Sequence, residues 1–330
     1  MSGNDAVTLV IPGRDCEETI GMCLDSVAPL LEGGRLAEIV FVDDGSVDGT
    51  AAIVEGFPVN VVRGKGEGPG AARNRGWKAA GTPLVWFVDA DCVVEEGALE
   101  ALLEHMDDPA VGGVGGSYGN ARPDSLLACL IHEEIVARHA RMGPRVDFLA
   151  TFNVVYRREV LEEVGGFDER FLKAQDAELS FRIRRAGHEL GFDSRSRVRH
   201  HHPISLRSYL DTQRKQGYWR AWLYFEHPER MKGDSYSGFV DHVQPPLAVM
   251  SLALAPSLLM GPLALVEAPV LGALAAAQIP KTVELIERTG DPRFAGFAPM
   301  SFARAYARGV GMLRGAADGI AERLKWGRNG

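Results

Sequence analysis

Cysteine is scarce in this chain: Cys16, Cys23, Cys92 and Cys129 are the four in 330 residues, and no two of them form a CxxC pair. With no His-x3-His segment either, this excludes a zinc site built on paired thiols and a disulfide framework, and it fits a reducing cytosol. A basic surplus is missing too. The formal charge is -8 and the pI is near 5.7, whereas a general nucleic-acid binder needs a basic surface that neutralises phosphates. Met1-Ser2-Gly3-Asn4-Asp5 runs into a strand-like segment without a basic and then apolar leader, so nothing there is expected to direct secretion. A glycine-rich phosphate loop is absent after the first strand, where Pro12-Gly13-Arg14-Asp15-Cys16 stands instead. Gly112-Gly113-Val114-Gly115-Gly116 lacks the G-x-G-x-x-G spacing and reads as close strand packing. Internal repeats and low-complexity linkers are likewise missing.

What is present is enough apolar sequence, 46% of the residues, to bury a full core. Apolar runs of strand length fall at 6–11, 39–42, 59–62 and 84–88, with helix-length gaps filled by candidate helices at 17–31, 50–55, 71–80 and 98–105. This alternation predicts an α/β fold, and continuous apolarity within the strands predicts helices on both faces of the sheet. A Gly-rich strand at 111–118, helices at 125–141 and 176–186, short segments at 148–156 and strands at 189–192 and 197–201 complete a Rossmann-like mixed sheet. The expected organisation is a catalytic domain over residues 1–225 and a helical C-terminal region over 226–330.

Each early strand ends in polar or Gly-rich residues, and open α/β sheets bind ligands at that edge. Asp89-Ala90-Asp91 follows the fourth run, and two carboxylates at i and i+2 on a turn reach one small volume, as a hard cation such as Mg or Mn requires. The competing role for either Asp is a turn or a helix cap. Asp43-Asp44-Gly45-Ser46 closes the second run, where a carboxylate can accept from a base or ribose. Glu67-Gly68-Pro69-Gly70-Ala71-Ala72-Arg73-Asn74 leads into a helix whose Arg73 is a candidate pyrophosphate contact or else a surface arginine.

Taken together, Thr8-Leu9-Val10-Ile11-Pro12, Phe41-Val42-Asp43-Asp44-Gly45-Ser46, Gly70-Ala71-Ala72-Arg73-Asn74-Arg75-Gly76 and Phe87-Val88-Asp89-Ala90-Asp91 resemble the family 2 glycosyltransferases of the GT-A fold. The resemblance covers about the first 225 residues. It implies a nucleotide-diphospho-sugar donor, UDP-linked in preference to GDP-linked, a divalent Mn or Mg, and inversion at the anomeric carbon in a hexosyltransferase-type reaction. By the same resemblance Pro12, Arg14, Asp44, Arg73, Asp89 and Ala90 line the donor, with Asp44 on the base and Arg73 near the phosphates. Asp89 and Asp91 take the metal. Two departures stand out: Asp15 replaces the usual Asn, and Gly13-Arg14 replaces a commoner pair.

Gly165-Gly166-Phe167-Asp168-Glu169 and Lys173-Ala174-Gln175-Asp176-Ala177-Glu178-Leu179 are similar to the family's acceptor-side loop and its Glu-Asp element, with Gln175 in place of Glu. Asp176 then matches the catalytic base. A sugar hydroxyl is a poor nucleophile near neutral pH, so a carboxylate must take its proton as it attacks. The alternative for Asp176 is a helix N-cap. Among His200, His201 and His202, strand alternation puts His200 and His202 on one face, and the family's spacing points to His200 as a third ligand, with His202 the other candidate.

From Pro245 to Pro280 only Glu267 is charged. Basic residues flank the stretch on both sides, from Arg214 to Lys232 and from Lys281 to Arg314, which predicts a re-entering hairpin or a surface insertion on the cytoplasmic face of the cell membrane. A soluble helical hairpin is the other reading. The helix at 207–226, rich in Trp and Arg, suits a lipid interface or ordinary core packing. Phe294 to Trp326 reads as an amphipathic helix whose Gly309, Gly311 and Gly315 allow close helix contact. A membrane position makes a lipid-linked or envelope-glycan acceptor the expected partner. The rival classes are a sugar-phosphate nucleotidyltransferase and an inactive membrane adaptor.

Overall fold

The computed structural model describes residues 6–259 and 264–326 and falls into two compact units. The first comprises the residues up to Arg122 together with His139–His202; the second comprises Pro123–Arg138 and the residues from Pro203 onward.

In chain order the elements are β1 (Val7–Gly13), α1 (Ile20–Glu32), β2 (Glu38–Asp43), α2 (Thr50–Val54), β3 (Asn60–Arg63), α3 (Pro69–Ala79), β4 (Leu84–Val88) and β5 (Cys92–Val94). They continue with α4 (Ala98–Leu103), β6 (Val111–Asn120), α5 (Leu126–His139), β7 (Arg145–Val146), β8 (Asn153–Arg157), α6 (Arg158–Val164), α7 (Gln175–Arg185) and β9 (Glu189–His200). Among the described residues the strands form one nine-stranded sheet in the order β3-β2-β1-β4-β8-β6-β9-β5, with β7 paired to β9. Pairing is parallel across β3, β2, β1 and β4, then antiparallel where β8 meets β4 and β6. The sheet is therefore mixed, as expected.

Both faces are covered, and the strands show why continuous apolarity was needed. Leu9, Ile11, Phe41, Trp86 and Val88 pack on one side with Ile20, Leu24 and Leu99, while Val10, Val40, Val42, Val85 and Phe87 pack on the other with Trp77 and Leu179. Alternate residues of one strand thus enter different clusters. β3 departs from this pattern: it lies at the sheet edge and three of its four residues are exposed. The strands expected at 189–192 and 197–201 are one, β9, because register shifts opposite β6 absorb the polar residues between them.

The second unit contains most of α5 with α8 (Leu206–Glu226), α9 (Phe239–Leu254), α10 (Ala264–Ala276), α11 (Ile279–Thr289) and α12 (Phe297–Trp326). The division expected near residue 225 is corrected here in two ways: α8 belongs wholly to the helical unit, and so does the segment 123–138. Chemistry explains the transfer. Leu130, Ile131 and Ala137 share a core with Tyr209, Leu285, Phe294, Phe297 and Met300, and Glu134 and Arg138 enter a buried ion network with Asp241 and Arg304.

The α8 face bearing Tyr209, Gln213, Gly217 and Ala221 is buried, at helical spacing. A Cβ added to Gly217 would meet the Arg308 carbonyl oxygen at 2.1 Å, and one on Gly311 the Arg214 carbonyl oxygen at 2.0 Å. Backbone contact with α12, and not lipid, therefore accounts for that face. The apolar stretch forms α9 and α10, with Pro245, Pro246 and Pro269 inside the helices; its Gly261-Pro262 break lies outside the described residues. Among the described residues no helix is long and apolar enough to cross a membrane.

Candidate active site

The carboxyl ends of β1, β2 and β4 bring together Arg14, Asp44 and Asp89, since parallel strands deliver the residues that follow them to one edge. At the β2 end, Asp44 is buried and its carboxylate accepts the backbone N–H groups of Gly66, Glu67 and Gly68 at 3.1, 3.1 and 2.8 Å. The residue expected to meet a base thus also shapes the loop before α3. Asp15 can do here what an Asn would. It adopts φ 49°, tolerable for Asp or Asn, and its Oδ1 accepts Val47 N–H at 2.8 Å. Pro12 is half-buried, and Arg14 is exposed with Asp15 3.6 Å away.

α3 carries Arg73 and Asn74, both buried. Asn74 is complete: its amide donates to the Phe167 carbonyl and Glu169 at 2.8 Å each, and its Oδ1 accepts from Phe167 N and Trp77 Nε1 at 2.8 and 2.9 Å. That ties the start of α3 to the 165–169 loop, a positioning role that its place next to Arg73 could have signalled. Arg73 is not complete. Its Nη2 donates to Asp89 Oδ1 at 2.6 Å, while Nε and Nη1 are buried without a hydrogen-bond partner among the described residues. Unpaired buried donors are costly, so such a group points to a missing acceptor.

Beyond the buried Ala90, Asp91 meets β9. His200 Nε2 lies 3.2 Å from Asp91 Oδ2, and His201 donates its backbone N–H to the Asp91 carbonyl at 3.1 Å. Among the described residues the ligand atoms of Asp91, Cys92 and His200 converge within 4.8 Å of one another. Of the expected set, Asp91 and His200 are brought together here. Asp89 is drawn to Arg73, and His202, the other candidate ligand, has its Nδ1 against His200 Nδ1 at 3.1 Å. Cys92 was overlooked although it directly follows Asp91, but burial and the neighbouring carboxylates hold its thiol well above the usual range. A neutral thiol is a poor partner for a hard cation. Asp91 and His200 do fit Mn or Mg. Burial alone would raise the Asp91 carboxyl, yet the charge and hydrogen bond of a protonated His200 bring it below its ordinary value; a bound cation would take the place of the hydrogen on His200 Nε2.

Gln175 and Asp176 open α7, where the N-cap position is Ala174 at φ 61° with no side-chain cap. Asp176 is therefore not the N-cap; it is the second residue of the helix and accepts Ala177 N–H through Oδ1 at 2.8 Å. Burial, with Asp89 adding to it, raises the Asp176 carboxyl despite the opposing charge of Arg73. Gln175 is buried, and its Oε1 has no hydrogen-bond partner among the described residues.

Residues 8–165 match the sequence family described as "Glycosyl transferase family 2". A pre-mycofactocin glycosyltransferase of Mycobacterium tuberculosis is 30% identical over 238 residues, covering 68% of this chain and 48% of that protein. Glycosyltransferase AglE of Haloferax volcanii is 28% identical over 193 residues, covering 56% of this chain and 64% of its own length. The chain thus spans about half the length of the mycobacterial relative. The solved structure of a mannosyltransferase, PcManGT from Pyrobaculum calidifontis, in complex with GDP-Man and Mn2+, superposes with a TM-score of 0.59 at 20% identity, over 93% of this chain and 86% of that one. The fold is that of the GT-A transferases, and residues 8–165 are a glycosyl transferase family 2 segment.

Proposed function

We propose that this chain is an inverting glycosyltransferase that moves a sugar from a nucleotide-diphosphate donor to a hydroxyl of a lipid-linked or cell-envelope glycan. The observation that carries the reading is Arg73, whose buried Nε and Nη1 lack an acceptor among the described residues, beside Asp89. Diphosphate oxygens would supply that acceptor, and arginine suits phosphate because its donors form a planar fork. Relatives named as glycosyltransferases support the same class.

Asp91 and His200 would hold a divalent Mn or Mg, which when bound supplies charge stabilisation for the departing diphosphate. Asp176 takes the proton of the attacking hydroxyl, and its raised carboxyl makes it a stronger base than an exposed Asp. Attack on the side of the anomeric carbon opposite the leaving group, in one displacement, inverts configuration. Asp44 and the 66–68 loop would receive the base.

The proposal extends to a membrane position at the cytoplasmic face. Phe239, Leu259 and Leu265, at 82%, 91% and 75% exposure, present large apolar side chains from α9, the segment after it and α10. In the absence of a spanning helix among the described residues, surface insertion suits this distribution. Co-sedimentation with anionic lipid vesicles checks it, and a protein left entirely in the supernatant would rule it out.

The test of activity is nucleoside diphosphate release from UDP-sugars, then GDP-sugars, with Mn and a polyprenyl-phosphate or glycan acceptor, with the anomeric configuration of the product read by NMR. An inverted product supports the reading. Pyrophosphate release from a nucleoside triphosphate and a sugar phosphate would establish a nucleotidyltransferase instead.

A further inference from the structure

We propose that His202 is a positioning residue for His200: it accepts a hydrogen bond from Nδ1 of that ring and so leaves Nε2 as the nitrogen that faces Asp91 and a divalent cation. This rests on the metal reading above and adds a residue to it.

The geometry is specific. His200 Nδ1 and His202 Nδ1 are 3.1 Å apart, while His200 Nε2 is 3.2 Å from Asp91 Oδ2. Two imidazole nitrogens at that distance form a hydrogen bond only when one carries hydrogen and the other does not. For a neutral His200 to offer the lone pair of Nε2, its hydrogen must sit on Nδ1, and Nδ1 then needs an acceptor. His202 Nδ1 is the acceptor at hand. Ligating histidines generally have their second nitrogen fixed in this way, and the partner sets both tautomer and ring orientation.

Further contacts hold the pair. The His202 backbone N–H donates to the His200 carbonyl at 3.0 Å, and His201 ties the same turn to the Asp91 carbonyl. Tyr118, stacked on Phe152 at 3.5 Å, stands edge-on to His200 at 5.2 Å and tilted to His202 at 5.7 Å. The two histidine rings therefore share one aromatic wall.

The experiment uses the full chain. Mn2+ binding is followed by the electron paramagnetic resonance signal of the free ion for wild type, His200→Ala, His202→Phe and His202→Asn, beside the melting temperature of each protein without metal. Loss of an outer partner of a metal ligand typically weakens metal affinity roughly 10–100-fold, which is the effect expected for His202→Phe. The Asn oxygen sits near the position of Nδ1 and can accept, so His202→Asn is expected to keep most of the affinity. Equal Mn2+ affinity in His202→Phe and wild type, with His200→Ala weakened, would overturn the proposal. Equal weakening in both His202 variants would do the same, since it would mark a packing role. No Mn2+ uptake by wild type would instead defeat the metal reading and the proposal with it. A readout independent of any variant is the 15N spectrum of histidine-labelled wild type loaded with Mg2+: His202 is expected to carry its hydrogen on Nε2, and a hydrogen on its Nδ1 would refute the assignment.

Discussion

Arg73 at the sheet edge and Arg304 in the helical unit are about equally buried, at 5% and 4% exposure, yet their surroundings differ in kind. Arg304 donates to Glu134 at 2.5 Å, to Tyr209 at 3.3 Å and to Ser301 at 2.9 Å, and among the described residues only its Nε lacks a partner. Glu134 also takes Arg138 at 2.7 Å, which in turn grips Asp241 with two nitrogens at 2.6 and 2.8 Å. Among the described residues Arg73 has one side-chain hydrogen bond, to Asp89, and two nitrogens without one. The same residue types therefore serve opposite ends. In the helical unit opposite charges close on each other and fix α5 against α9 and α12; at the sheet edge the set stays open, and the proposed diphosphate would close it.

The largest expected effect breaks the open set. Asp176→Asn should leave the fold intact and lower kcat by about 10²- to 10⁴-fold, the usual contribution of a positioned base. Because Asp176 is raised, the acid limb of the wild-type rate profile should lie above the ordinary carboxylate range, with activity growing as pH rises through it. An acid limb at the ordinary value would argue for another base.

Breaking the closed set should cost stability and not chemistry. Glu134→Ala leaves Arg304 and Arg138 without their shared carboxylate, a loss on the order of 3–5 kcal/mol in chemical denaturation. Arg304 and Arg138 offset the effect of burial and bring the Glu134 carboxyl down to about 2 from 4.5. Its stabilising contribution is thus fully present above pH 4.5 and is lost as pH falls toward 2. The wild type should lose more stability over that window than Glu134→Ala.

Smaller still is Gly311→Ala. Its new methyl would lie 2.0 Å from the Arg214 carbonyl oxygen, so α8 and α12 must separate, at a cost of about 1–3 kcal/mol. Unchanged melting would show that the two helices can yield there.

The parts of the fold that were legible in sequence are those with continuous apolar runs ending in Asp or Gly. β1, β2 and β4 carry Pro12, Asp44 and Asp89 to one edge, and their parallel pairing follows from the helix-length gaps between them. What stayed hidden depends on partners far apart in the chain. Nothing local in Glu134 announces Arg304, 170 positions away, so α5 could not be assigned to the helical unit. The three backbone donors on Asp44 come from a loop whose conformation a pattern of glycines does not specify. The histidine triplet was half legible: alternation paired His200 with His202 and the family's spacing pointed to His200, but the contact between the two rings at Nδ1 appears only in the structure.

The account stands most directly on the melting temperature of the chain with UDP or GDP, with and without Mn2+, in wild type and Asp91→Ala. At a ligand concentration 100-fold above Kd, binding should add about 2.7 kcal/mol of stability. The expected result is stabilisation by at least one of the two nucleotides that requires Mn2+ in wild type and vanishes in Asp91→Ala. Stabilisation of equal size without Mn2+, or in Asp91→Ala, would contradict the claim that this sheet edge holds a metal against a nucleoside diphosphate.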